Sequence, residues 1–99
     1  MIRHVVLFRW TAEATAEQRA AVRDGLAALP REIPAIAAYS VGHDLNLSDA
    51  SWDLAVVADF ADEAAWLAYR DHPAHQAVIR ERIAPIRADI ARVQFRVAP

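Results

Sequence analysis

A phenol and two imidazoles fall within seven residues at Tyr69-Arg70-Asp71-His72-Pro73-Ala74-His75, and a proline divides them. The residue before a proline is pushed out of the α region, whereas the proline itself suits the first turn of a new helix. Tyr69 is therefore expected to close one helix and His75 to sit in the first turn of the next. On one unbroken helix the two would point about 240° apart. The break is what allows them to converge. An unperturbed imidazole titrates near pH 6.5, so His75 can act as a general base, with the Tyr69 phenol orienting a carbonyl or sharing the proton. The same histidine could instead hydrogen-bond locally and pin the kink. His72 is read as a residue whose ring caps the new helix or meets solvent, and it is kept among the candidates for ligand contact.

A fourth candidate, His4, shares a strand face with Val6 and Phe8. A polar ring on an apolar face needs either a hydrogen-bond partner or a cavity. If His4 and His75 both approach Tyr69, they mark one polar spot in an apolar pocket, the usual form of a small-ligand site. No metal site is expected. His72 and His75 supply two ligands from one element, Asp71 and Asp44 are the only carboxylates with a claim to join them, and the chain has no cysteine. No cofactor is expected either. With two glycines there is no phosphate-binding glycine loop, and no serine sits in a nucleophile elbow. The three tryptophans, Trp10, Trp52 and Trp66, read as core or interface residues.

Ninety-nine residues are expected to form one domain over residues 1–99, with a small core that a second subunit would reinforce. A net charge of -2 is too near neutral for a nucleic-acid footprint, and no window is long and apolar enough to span a bilayer. Neither nucleic acid nor membrane is an expected partner. The first residues alternate like a strand and carry no signal-peptide apolar run, so a cytoplasmic protein is expected.

The elements that must position these residues follow from periodicity. Ile2 to Trp10 alternates with apolar groups on both faces, which marks a central strand covered twice. Thr15 with Gln18 three residues on is a capping-box start for a helix from Ala16 to Leu29, ended by Pro30 and Pro34. Ile36 to Gly42 reads as a second strand, His43 to Ser51 as a polar loop and Trp52 to Phe60 as a third strand. Asp62 caps a short helix that stops at His72, and helix resumes from Pro73 to about Ile83 until Pro85 interrupts it. Ala91 to Val97 alternates as the fourth strand. The order βαββαβ predicts an α+β, ferredoxin-like antiparallel sheet with both helical segments on one face. Apolar residues on the other face, such as Val5, Leu7 and Val57, call for a partner. The simplest is a second copy packed sheet to sheet, a homodimer with a barrel-like core.

The opening Ile2-Arg3-His4-Val5-Val6-Leu7-Phe8-Arg9, the Gly42-His43-Asp44-Leu45 turn, the strand ending at Phe60 and the Tyr69-x-x-His72-Pro73-x-His75 element resemble the stress-responsive dimeric α/β-barrel (Dabb) family over essentially the whole chain. The resemblance implies a homodimer of ferredoxin-like protomers. One enzymatic branch, the plant polyketide cyclases, closes an aldol ring on a linear tetraketide-type substrate. There the tyrosine and second histidine of this motif look like the acid–base pair, which carries over to Tyr69 and His75. His4 and Val56 also match that branch, while Leu54 stands where it has a histidine and Leu26 where it has a pocket tyrosine. The expected ligand pocket thus involves His4, Val6, Phe8, Leu26, Val56 and His72 around Tyr69 and His75. Three readings follow: a small-molecule binding dimer for an apolar or carbonyl-containing ligand, a cofactor-free cyclase-like enzyme, and, by analogy of fold, a cofactor-free monooxygenase.

Overall fold

The computed structural model describes residues 1–98. Strand β1 (Ile2–Trp10) is followed by helix α1 (Ala16–Ala27), a short helix α2 (Leu29–Glu32), strands β2 (Ala38–His43) and β3 (Leu54–Phe60), helices α3 (Glu63–Asp71) and α4 (Pro73–Val78), a π-helical turn (Ile79–Ile83) and strand β4 (Arg87–Arg96). The sheet runs β2-β3-β1-β4, with every neighbouring pair antiparallel. This is the ferredoxin-like arrangement that the element order predicts.

Local signals account for most boundaries. The Thr15 hydroxyl accepts from the Gln18 N–H while the Gln18 side chain accepts from the Thr15 N–H, so two orphan donors of α1 are satisfied together. Asp62 accepts from the Ala65 N–H at the start of α3. Several ends differ from the sequence expectation. Helix α1 closes at Ala27 and not Leu29, and Pro30 does not stop the chain but opens α2, where a missing N–H costs nothing. Strand β2 begins two residues later than Ile36 and β3 two residues later than Trp52. Strand β4 begins at Arg87, four residues before Ala91, because its extra length pairs with β1 back to Trp10. Polar residues such as Asp89 mask that start in the sequence. The second helix after Pro73 turns π-helical at Ile79, before Pro85 is reached.

Alternation along β1 buries Ile2, His4, Val6, Phe8 and Trp10 beneath the helices, joined by Leu54, Val56, Ala58 and Phe60 from β3. Val22, Leu26, Leu29 and Ile33 pack onto them from the helical layer. The opposite face of the sheet carries Val5, Leu7, Ala55, Val57, Ala91, Val93 and Phe95, with the Arg3–Asp59 ion pair at one end (2.8 Å). Val93 is 53% exposed and Phe95 44%. The helices pack mainly over β2 and β3, and the helix-side face of β4 is left open.

Candidate functional site

A cavity of about 400 Å³ lies between β1 and β4 on the floor and α3, α4 and the π turn on the roof. Val6, Phe8, Leu26, Val56, Ile79, Ile83 and Ile90 supply its apolar wall, and His4, Trp66, Tyr69, His75, Arg87 and Arg92 its polar features. The size and the mixture are those of small-molecule sites.

The proline break positions His75. His72 has extended backbone and its Nδ1 accepts from the Ala74 N–H (3.0 Å), so His72 caps α4 while Pro73 occupies the first turn. The chain bends there, and the His75 ring stacks on Tyr69 with centroids 4.1 Å apart and planes at 26°. His75 Nδ1 lies 3.1 Å from the Arg70 carbonyl oxygen, which can only accept, so Nδ1 carries the proton and Nε2 presents a lone pair. Burial pushes the His75 pKa down, the Arg70 and Tyr69 carbonyls partly offset this, and the His72 charge lowers it again. Neutral imidazole with a free Nε2 is the form of a general base.

His4 has the opposite tautomer. It is 6% exposed, and its Nδ1 receives the Trp66 indole N–H (3.3 Å) and the Gln94 amide (2.8 Å). An indole nitrogen can only donate, so Nδ1 accepts and Nε2 bears the hydrogen. Burial, then the charges of His75 and Arg92, press its pKa down to about 4. Among the described residues no side chain engages Nε2 of either histidine, and the one buried side-chain nitrogen or oxygen sealed off without a partner is Trp10 Nε1. Both rings line the cavity, and each keeps an Nε2 without a side-chain partner.

Tyr69 is buried, and its ring forms wall between the histidines, 6.0 Å from His4 by ring centroids. Its hydroxyl, however, lies 3.0 Å from that of Tyr39 on β2, a residue outside the cavity lining. Burial raises the pKa of both phenols, so both stay protonated at neutral pH.

A family profile described as Stress responsive A/B Barrel Domain matches residues 2–97. The chain belongs to this Dabb family. A dimeric ferredoxin-like protein of unknown function from Thermobifida fusca is 44% identical, with 97% of this chain and 90% of that one covered and a TM-score of 0.90. Two more distant structures share the fold. The hydroxynitrile lyase of Passiflora edulis is 19% identical over 98% of this chain and 93% of its own (TM-score 0.84). An antibiotic biosynthesis monooxygenase is 18% identical over the full length of both chains (TM-score 0.77). No curated protein matches the sequence.

In this Dabb protein seven of the eight residues singled out from sequence, His4, Val6, Phe8, Leu26, Val56, Tyr69 and His75, line one cavity. The eighth, His72, is placed outside the lining, where its ring nitrogen is spent on the Ala74 N–H. Sequence reasoning missed Trp66 and Gln94, which set the tautomer of His4, Tyr39, which takes up the Tyr69 hydroxyl, and Arg87 and Arg92. Gln94 and Arg92 could have been found from alternation, since they share a strand face opposite Val93 and Phe95. Tyr39 gave no such signal. Among the described residues no group of three or more His, Asp or Glu side chains could hold a metal ion. An imidazole with a free ring nitrogen and one that carries its hydrogen there have the chemistry to accept and to donate a proton.

Proposed function

We propose that this protein is a homodimer that binds a small, mostly apolar carbonyl compound in the cavity and transfers a proton on it without a cofactor. The observation that carries this reading is the pair of opposite tautomers, with an unprotonated Nε2 on His75 and an Nε2–H on His4 in one cavity. His75 Nε2 takes the proton from the carbon next to the carbonyl, and the electrons of the C–H bond move onto oxygen as an enolate. His4 Nε2–H donates a hydrogen bond to that oxygen, which strengthens as charge develops. The imidazolium of His75 then returns its proton to a new position or to an addition product. Aldol ring closure of the polyketide-cyclase kind belongs to this class of reaction.

Tyr69 serves in this scheme as a platform that holds the His75 ring by stacking, because Tyr39 occupies its hydroxyl. The dimer reading is supported by the apolar outer sheet face and by the dimeric description of the Thermobifida fusca relative. A cofactor-free oxygenation has only likeness of fold in its support.

The test is incorporation of solvent deuterium into the methyl group of acetophenone, followed by NMR. The wild type should exchange faster than His75→Asn by about 10² or more, the usual contribution of a general base. The variant keeps a side-chain N–H for the Arg70 carbonyl while losing Nε2. Equal rates for the two proteins, with the ketone bound to both, would refute the proposal.

A further inference from the structure

We infer that Arg87 and Arg92 make one side of this cavity a carboxylate site, so that its ligand is an organic acid with an apolar, carbonyl-bearing body. The inference rests on the proposed carbonyl site and adds the charge of the substrate.

A fault in β4 creates the site. Arg9 pairs with Asp89, but Trp10 pairs with Arg87, so Ala88 is an extra residue without a partner in β1. In a regular strand Arg87 would share the face of Asp89, on the outer side of the sheet. The bulge reverses that parity and turns Arg87 to the cavity side, with Ile90 and Arg92. Bulges often re-aim a side chain in this way beside a site.

Other arginines in the neighbourhood are already neutralised. Arg70 also lines the cavity, but it is held by Asp71 at 2.9 and 3.1 Å, and Arg96 reaches Glu63 at 3.3 Å. Among the described residues Arg87 and Arg92 make neither an ion pair nor a side-chain hydrogen bond. Among the described residues no aspartate or glutamate lines the cavity. The nearest acid on the strand, Asp89, faces away and accepts from the Ile90 N–H. Two exposed arginines without an ion-pair partner therefore line a largely apolar cavity that holds no group of opposite charge among the described residues.

A carboxylate fits better than a phosphate. The planar guanidinium fork matches a carboxylate in bidentate fashion. Phosphate sites draw on backbone N–H groups of glycine-rich loops or helix starts. The helix start that adjoins this cavity is that of α4, where the Ala74 N–H is already taken by His72. Both glycines, Gly25 and Gly42, are outside the lining. Because His4 and His75 stay neutral at pH 7, attraction for the anion comes from the arginines alone and should persist to higher pH.

The experiment titrates the protein with 4-acetylbenzoate and with its methyl ester, two ketones that differ in charge, by calorimetry. The acid should bind more tightly than the ester by about tenfold or more, the scale of a charge-assisted pair. Arg92→Gln and Arg87→Gln should each erode that preference, with Arg92→Lys retaining part of it. Raising the salt concentration on the wild type should erode it too, which asks the question without any variant. Equal affinity for acid and ester would overturn the carboxylate site and leave the carbonyl reading intact. Preference for the acid without His75-dependent deuterium exchange would sustain the carboxylate site and sink the proton-transfer reading. Failure of both compounds to bind at millimolar concentration would overturn both.

Discussion

Protonation of His4 should destabilise this protein, and a His4→Asn variant should be spared that loss. In the unfolded chain the imidazole takes up its proton near pH 6.5, but in the folded protein it does so only near 4. Between those values the unfolded state binds more protons, so stability falls as pH falls, and the contribution is intact above about 6.5. A difference of this size is worth about 3 kcal/mol once both forms have titrated, with about 1 kcal/mol lost by pH 5.5 and 2 to 3 by pH 4.5. The cause is structural: burial takes the charged ring out of water, and the charges of His75 and Arg92 oppose a proton on it, while Nδ1 accepts from Trp66 and Gln94. Asparagine places its amide oxygen where Nδ1 stood, so both donors keep an acceptor and the group no longer titrates. The variant should be less stable at pH 7 because ring volume is lost. That gap should narrow by about 2 to 3 kcal/mol on going to pH 4.5. Urea denaturation followed by circular dichroism at fixed protein concentration measures it. Parallel pH curves for the two proteins would refute the argument, because His4 would then carry no linked proton.

His75→Asn should cost no more than about 1 kcal/mol in the same urea assay, since Gln76 also donates to the Arg70 carbonyl at 2.7 Å. A much larger loss would mark His75 as a structural pin. Thr15→Ala removes one half of a capping box, and a drop of about 1 kcal/mol is expected; no change would mean that tertiary contacts alone hold the start of α1. Val93→Asp puts a charge on the outer sheet face, and sedimentation should show an 11.0 kDa species for the variant and twice that mass for the wild type. A wild type that is itself monomeric at micromolar concentration would end the dimer proposal. Tyr69→Phe should leave deuterium exchange within a few fold of wild type, because the stacking ring remains; loss as deep as that of His75→Asn would return the hydroxyl to the chemistry.

Patterns within a few residues of one another decided much of this protein. Alternation in Ile2–Trp10 assigned His4, Val6 and Phe8 to one face, the Thr15–Gln18 box started α1, and Pro73 separated the helix of Tyr69 from that of His75. These features act through backbone geometry that neighbours alone determine, so the ferredoxin-like element order and the convergence of Tyr69 with His75 were legible in the amino-acid sequence. The states of those side chains were not. Which nitrogen of His4 carries the proton depends on Trp66 and Gln94, which lie 62 and 90 residues away along the chain. The Tyr69 hydroxyl is claimed by Tyr39 of β2, 30 residues away along the chain, and Arg87 turns to the cavity only because β1 and β4 pair with one residue to spare. A tautomer, a hydroxyl partner and a bulge are all outcomes of register and of packing between distant segments. Tertiary structure alone decides them, because a local sequence pattern carries no record of which strand its residues will meet.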